Sequence, residues 1–582
     1  MVGYPDIVTG SFGVSIDGKI TKLTTTSTTF PLWSGTVIGA STSTTYKYVK
    51  LDSNSQPAEE EKFIRTMQNQ EDKTMTKNEF FNREEFIALN GGKLAQVPLV
   101  YDPWENSNTK IFEDDSQVAT IHLMGDTGLF HDMVAHGPVT FEDTPPMRVD
   151  FRYINDKIVH NVNNVKLSLS GKSSMENSKM AFKIKFDTAT GQSFFSRPNI
   201  KLRSEVSDPT MIREKLYIDV LNAIGVPTQQ GVWVRLYFNT EPVGLYLMVD
   251  DIAKSFIKQT INHGNNTASR GSLWQMNAPT VEDQAGLVYT GLTSANYHPA
   301  VYKLKSNGSG LPTEPMAPLI ELMKDLQDFD PNAPNGIGFW EERIDLEGFL
   351  RNMAMEYLAG AWDAYWYSGS NYFLYLNPTL SGKYGGSKWQ WISTDFDGSF
   401  GDGDPTDNLT SYQTYADFTI HDRPMVSKLI LKNKDINARF EAILKDIVGW
   451  AFKPEALFPR LDAFEKLLAK DVEWDYSINR SMVPGKVGVW TIQDFHQSLS
   501  GPVKDMNLGI KPWIEGRAKG LQDQLHFQVE PGTPDRVKRP VHRPKGGIAD
   551  AGTSASTTTR LGASQFTILT LVSVYILCSN IL

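Results

Sequence analysis

At 582 residues the chain is too long for a single compact core, and that length implies roughly three or four structural units. Hydrophobic residues at 40% and charged residues at 21% are ordinary for a folded protein, while a formal charge of −10 excludes a nucleic-acid binder working through a general basic surface. The single cysteine, Cys578, excludes an intrachain disulfide and a zinc–thiolate site.

Residues 1–60 read as a small β-sandwich-like module. From Ile7 to Leu51, Val, Ile, Thr and Tyr alternate with Gly-, Asp- and Ser-containing turns. Such a module serves as a spacer or binds carbohydrate. Residues 61–117, which hold most of a charged run beginning near Gln56, read as a linker with a short helix. A second unit, 118–528, opens on the strand ATIHLMGD and continues with two β-runs in 147–170 that turn at Asn155-Asp156. Gly171 to Asn177 forms a small-residue loop, and Lys179 to Asp187 alternates lysines outward with Phe and Ile inward. Lysines after such a loop either face solvent or reach the phosphates of a nucleotide lying over the sheet.

A helix is predicted with Asp208 as N-cap and Pro209 at its first position, Ile212, Leu216, Val220 and Ala223 along one face, and Gly225 and Pro227 ending it. Arg213 in its first turn opposes the helix dipole, so it calls for an anionic partner, either a carboxylate or a phosphate. Trp233 to Asp251 reads as a hairpin turning at Asn239–Pro242, and Asn262 to Asn307 as a polar surface excursion. Helical patterns return at 317–329 and 345–360, the second delivering Asp363 just past its end.

Asp363 opens the stretch with the most chemistry in it. Asn371 follows, then an apolar hairpin, then the turn Asp395-Phe396-Asp397. Carboxylates and an amide oxygen on loops around one hairpin are what metal-assisted phosphoryl transfer requires: one acid for the attacking hydroxyl, the others for a magnesium ion. Helix capping and turn preference place the same residues equally well. The following loop, with Asp402, Asp404 and Asp407, lacks the ligand spacing of an EF-hand and reads as a mobile lid. The pattern from Met425 to about Gln528 is helical.

Residues 529–564 read as a disordered Pro- and Thr-rich stalk, and 565–582 as an apolar tail. Small residues near Asp550 to Ser554, a polar spacer and the run Phe566 to Leu582 match a glycosylphosphatidylinositol attachment signal better than a tail anchor. That reading expects the secretory pathway, a cell-surface or cell-wall location and membrane attachment through a C-terminal lipid. Met1 to Asp6 shows no signal peptide, so a truncated start is expected with it. Asn-x-Ser/Thr sequons stand at Asn265, Asn307, Asn408 and Asn479.

Four segments in order resemble the CotH kinase family of atypical protein kinases: SLSGKSSMENSKMAFKIKF; NIKLRSEVSDPTMIREKLYIDVLNAIGVPTQQGVWVRLYFNTEPVGLYLMVDDI; EYLAGAWDAYWYSGSNYFLYL; and WQWISTDFDGSFG. The resemblance implies an α+β, atypical protein-kinase-like fold with a mixed or antiparallel sheet and a helical C-terminal lobe. It implies ATP and Mg2+ as cofactors, with Asp363 as catalytic residue and Asp395, Asp397 and Asn371 as metal ligands. Lys179, Lys183 and Lys185 become candidates for the nucleotide-facing lysine, Lys201 and Arg213 for phosphate contacts, and Trp389 or Trp391 for stacking on adenine. Ser170 stands where the family usually has Arg before the loop glycine. Asp250 or Asp251 stands where it tends to have Glu, a shorter side chain expected to lengthen a Lys–carboxylate pair. The implied function is a secretory or cell-surface kinase phosphorylating Ser or Thr of secreted or coat proteins. The alternative is a lipid-anchored fungal surface adhesin or invasin that uses the same scaffold to bind a host or wall protein.

Overall fold

The computed structural model describes the chain apart from residues 1, 6–9, 39, 42, 68–76, 85–93, 107–110, 113, 137–143, 172–176, 266, 309–313, 403–408, 420, 481–482, 484–489, 505 and 531–582. The C-terminal tail, most of the stalk, Asn408, Asp404, Asp407 and most of the 171–177 loop therefore lie outside the described residues. Among the described residues no helix is long and apolar enough to cross a membrane.

The protein is a mixed α+β molecule with several sheets. At the N-terminus, β2 (Ser11–Ile16), β3 (Lys19–Lys22), β5 (Thr45–Leu51) and β6 (Pro57–Glu60) form one sheet in the order β3-β2-β5-β6, with β7 (Arg65–Thr66) on β5. A second sheet has β1 (Val2–Tyr4) between β4 (Trp33–Ser34) and β8 (Asn78–Phe80). Alternating Phe12, Val14, Tyr46 and Tyr48 share a small core with Leu23 and Phe81. The β structure thus runs past residue 60: β7 and β8 occupy what reads as linker, and residues 68–76 and 85 of the charged run lie outside the described residues. Tyr4, Leu32 and Phe80 pack on Ile154 and Tyr237 of the next unit, where Tyr4 Oη meets His122 Nδ1 at 3.1 Å.

Seven strands then close a barrel: β9 (Ala119–Met124), β10 (Met147–Ile154), β11 (Val159–Ser170), β12 (Ala181–Lys185), β13 (Asn199–Arg203), β14 (Gly231–Phe238) and β15 (Glu241–Asp250). Their order is β10-β11-β12-β13-β15-β14-β9, antiparallel except for β14 with β9. Side chains alternate across each strand, so Phe182, Ile184, Ile200 and Leu202 fill the barrel while Lys183, Lys201 and Arg203 stand on its other face.

The third body is mainly helical. Leu346–Ala359, Lys434–Trp450, Pro454–Ser477 and Ile510–Leu525 surround one large apolar core, with a four-stranded sheet on its flank. That sheet has the order β17-β16-β18-β19, from β16 (Leu273–Met276), β17 (Tyr302–Ser306), β18 (Tyr372–Asn377) and β19 (Lys388–Ser393). The stretch expected as a surface excursion therefore supplies two strands. LWQM and YKLKS are too short to signal themselves, and their order comes from pairing: LWQM pairs with β18, and YKLKS with LWQM. The loop expected as a lid is tied down over its described part, with Tyr415 and Phe418 buried and Gln413 O accepting from Tyr357 Oη at 2.8 Å.

Two further boundaries move. The helix expected from Pro209 begins at Arg213, after a turn; Asp208 still serves its open end, accepting from the backbone N–H of Ile212 and Arg213 at 2.9 Å each. The hairpin turns on Asn239 and Thr240 alone, Asn239 having φ +50°.

Candidate active site

The site lies where one face of β13 meets loops of the helical body. The Leu346–Ala359 helix starts on Asp345, whose side chain accepts from Gly348 N at 3.2 Å. It stops at Gly360 with φ +62°, where a Cβ would fall 2.2 Å from the Trp513 ring, so the chain turns there on a residue only glycine can occupy. Asp363 follows directly. Asn371, at φ +55°, turns its Nδ2 onto Asp363 Oδ2 and Asp363 O, 2.8 Å each. Its carbonyl accepts from Thr394 N at 3.1 Å, which ties the Asp363 loop to the Asp395 turn.

Phe396 anchors that turn. It is buried and stacks on Tyr217 with centroids 4.2 Å apart and planes 5° from parallel. With the phenyl ring fixed in the core, Asp395 (φ +65°) and Asp397 project together onto Arg203. Arg203 donates to Asp395, to Asp397 Oδ1 at 3.1 Å and, through Nε, to Glu214 Oε2 at 2.8 Å. Gln229 Nε2 donates to Glu214 Oε1 at 2.7 Å, and Ser207 Oγ to Asp397 Oδ2 at 3.0 Å. Glu205 lies beneath, buried, with neither carboxylate oxygen hydrogen-bonded among the described residues and Arg203 Nε at 3.7 Å.

Four carboxyls, of Glu205, Glu214, Asp395 and Asp397, thus face one guanidinium, and Asp363 feels the charges of the last two. Burial, then the charges of Asp395 and Asp397, push the Asp363 carboxyl up to about 7. Burial also lifts Glu214 to about 7, with Asp397 and Asp395 adding to it against the pull of Arg203. Burial raises Asp397 too, and it carries Glu205 well above the usual carboxylate range with Glu214 contributing. Oxygens of Glu214, Asp395 and Asp397 lie within 4.8 Å of one another. An all-oxygen set with surplus negative charge fits a hard divalent cation such as Mg2+.

On the same barrel face Lys183 Nζ donates to Asp251 Oδ2 at 2.7 Å, and Lys201 Nζ lies 3.3 Å from Asp251 Oδ1. The shorter Asp at 251 does not lengthen the pair, because cross-strand pairing of Lys183 with Lys201 brings both to it. Asp250 turns to Arg197 instead. Burial opposes ionisation of Asp251, yet Lys201 and Lys183 hold its carboxyl below the ordinary range.

Five candidates from the sequence are not brought here. Lys179 is buried against Asp475, 3.1 Å away, because the paired strand β12 starts only at Ala181 and Lys179 lies ahead of it. Lys185 is exposed at the strand's end, on the far side of Lys183 from the acids. Arg213 is fully buried: it pairs with Asp208 and gives Nε to Ser399 O at 3.1 Å, so its anionic partner is a carboxylate. Trp391 is 3% exposed and stacked on Tyr372, centroids 4.1 Å apart, and Trp389 is fully buried; both are core on a strand that is covered on that side. The residues missed are Arg203, Glu214 and Glu205. Period-two alternation from Lys201 pointed to Arg203, and Glu214 is the neighbour of the Arg213 that drew attention instead.

A barrel joined to a helical body, with an acidic oxygen-donor centre and lysines at their seam, defines the protein as a mixed α+β one. The chain belongs to the CotH kinase family: the family's pattern, described as CotH kinase protein, matches residues 167–501. It is similar to Invasin CotH3 of Rhizopus delemar, 29% identical over 89% of this chain and 83% of that protein. Invasin CotH2 of the same organism is 28% identical over 83% and 78%, and Spore coat protein homolog 1 is 25% identical over 88% and 79%.

Proposed function

We propose that the protein is an atypical kinase of the secretory pathway or cell surface that transfers the ATP γ-phosphate to Ser or Thr hydroxyls of secreted or coat proteins. On this reading the barrel and the helical body serve as the two lobes of a kinase-like fold, and the chain is held at the membrane by a C-terminal lipid. The observation that carries it is the pairing of Asp395 and Asp397 on Arg203, with the Asn371-held Asp363 in their field and Lys183 and Lys201 on the same barrel face as Arg203.

Asp363 accepts the proton of the attacking hydroxyl, with Asn371 fixing its oxygen. The new bond forms from that hydroxyl oxygen to the γ-phosphorus as the bond to the β-phosphate oxygen breaks, and ADP leaves. Asp395 and Asp397, with Glu214 beneath, are the residues that would hold Mg2+, which when bound screens the phosphate charge. Lys183 and Lys201 supply ammonium donors to the phosphates. Incubation of the whole chain with labelled ATP, Mg2+ and an acceptor protein tests this: Asp363→Asn is expected to lower transfer by at least about a hundredfold, the range for loss of a positioned base. Equal transfer by the two proteins would sink the assignment.

A second reading, a surface adhesin or invasin using this scaffold to grip a protein, is favoured by the names of relatives such as Invasin CotH3 and Invasin CotH2. Loss of host-cell adhesion in a deletion strain, restored by the Asp363→Asn gene, would select it over the kinase.

A further inference from the structure

Arg203 stands between two kinds of carboxylate. Asp395 and Asp397, which share its Nη2, have side chains 36% and 31% exposed, whereas those of Glu214 and Glu205, nearest its Nε, are 0% and 1% exposed. The Nε lies 2.8 Å from Glu214 Oε2 and 3.7 Å from Glu205 Oε1. Glu214 is well served, accepting from Arg203 and from Gln229. Glu205 is not: neither of its buried oxygens is hydrogen-bonded among the described residues, and its backbone sits at φ +50°, a left-handed conformation that a residue with a Cβ rarely adopts. A buried carboxyl left without a donor on strained backbone is costly, and such residues gather where a site needs them. Glu205 also borders a cavity of about 160 Å3, walled in part by Ser178, Met211 and Trp490, so there is space beside its carboxyl for a group to turn into.

A divalent cation and this guanidinium compete for the same groups. Nη2 donates to Asp395 and to Asp397 Oδ1, and these two acids, with Glu214, are the ones whose oxygens gather within 4.8 Å. A hard cation seated on Asp395 and Asp397 also repels the guanidinium, and a buried charge moved off two carboxylates needs another. Glu205 is the carboxylate within reach that lacks a donor.

Resting on the Mg2+ assignment above, we propose that Arg203 is a displaceable internal cation. A divalent ion entering from the exposed side takes Asp395 and Asp397, and the guanidinium, pivoting about the Nε held by Glu214, turns its Nη groups onto Glu205. Glu205 is then a positioning residue: it touches neither metal nor substrate, and it holds Arg203 away from the acids that bind the ion.

The competition is read without catalysis, by titrating the whole chain with Mn2+, an ion that like Mg2+ suits octahedral oxygen ligation, and following free Mn2+ by paramagnetic resonance. Arg203→Met is expected to bind Mn2+ about tenfold tighter than the unsubstituted chain, because a charge-assisted competitor is gone. Arg203→Gln, which retains an N–H for Glu214, is expected to do the same and serves should Arg203→Met not fold. Glu205→Gln is expected to weaken Mn2+ binding about tenfold in the unsubstituted chain but by less than about twofold in either Arg203 background, because its effect acts through the guanidinium. Equal or weaker binding by the Arg203 variants, or the same loss from Glu205→Gln in both backgrounds, overturns the proposal and leaves the kinase reading standing. Absence of Mn2+ binding by the unsubstituted chain overturns both.

Discussion

Asp363 meets two acids across the seam, and that field sets when it can accept a proton. With its carboxyl raised to about 7, the base form is scarce below neutrality, so transfer at low Mg2+ is expected to rise with pH through about 7. Saturating Mg2+ offsets the charges of Asp395 and Asp397 and should move that limb to lower pH; a pH–rate profile at two Mg2+ concentrations reads both. Arg203 has the opposite charge and the opposite task. Asp363 and Glu214 bind protons more tightly folded than unfolded, so their contribution to stability is complete below about pH 4 and fades as pH rises through about 7. Arg203→Met removes the one guanidinium among these acids and should cost about 3 kcal/mol at pH 7.5, less at pH 5, with Mg2+ restoring part of it. Urea unfolding at the two pH values, with and without Mg2+, measures this.

At the scale of elements, the site is held by parts that never touch it. Phe396 on Tyr217 sets the direction of the Asp395 turn, and Gly360 against Trp513 ends the helix that delivers Asp363. Trp391 belongs with these supports. Its replacement by Ala removes a stacked, buried indole and should cost roughly 3–5 kcal/mol, while ligand affinity of the folded fraction stays unchanged. A drop in MgATP affinity without loss of stability would return Trp391 to the cleft. Element existence was legible from pattern: the β-runs of 147–170, the Arg213–Ala223 helix and the helices beyond residue 425 all stand where periodicity predicts. Their ends were less legible. Asp208-Pro209 has the signature of a helix start, but Asp208 serves the helix from the turn before it, and that choice depends on the buried ion pair with Arg213.

Across the whole molecule, barrel and helical body are joined by buried charge. Asp475 Oδ1 accepts from Lys179 Nζ at 3.1 Å, Arg480 Nη2 at 2.8 Å and Leu245 N at 2.7 Å, while Asp471 accepts from Arg235 Nε at 2.6 Å. Asp475→Ala leaves two cations and a backbone N–H without their shared acceptor and should cost roughly 3–5 kcal/mol. Lys179→Met should cost less, because Asp475 keeps two donors. Chemical denaturation of the two variants gives the comparison; equal losses would mean the junction does not depend on Asp475. The N-terminal sheets are joined to the barrel differently, through Tyr4, Phe80 and Tyr237, an apolar contact in which Tyr4 also meets the buried His122.

Sequence by itself determined the family, the main run of strands and helices, and the acids and amide on adjoining loops, because periodicity, turn residues and short motifs are local properties of the chain. Which cations those acids meet was decided only by the tertiary structure. Lys179, Lys183, Lys185, Lys201, Arg203 and Arg213 all carry the same charge in the sequence. Barrel closure and strand register put Lys183, Lys201 and Arg203 on the face beside Asp395, send Lys179 to Asp475 and Arg213 to Asp208, and leave Lys185 in solvent. A charge acts over a few ångströms of space, and neighbours in space are set by the fold.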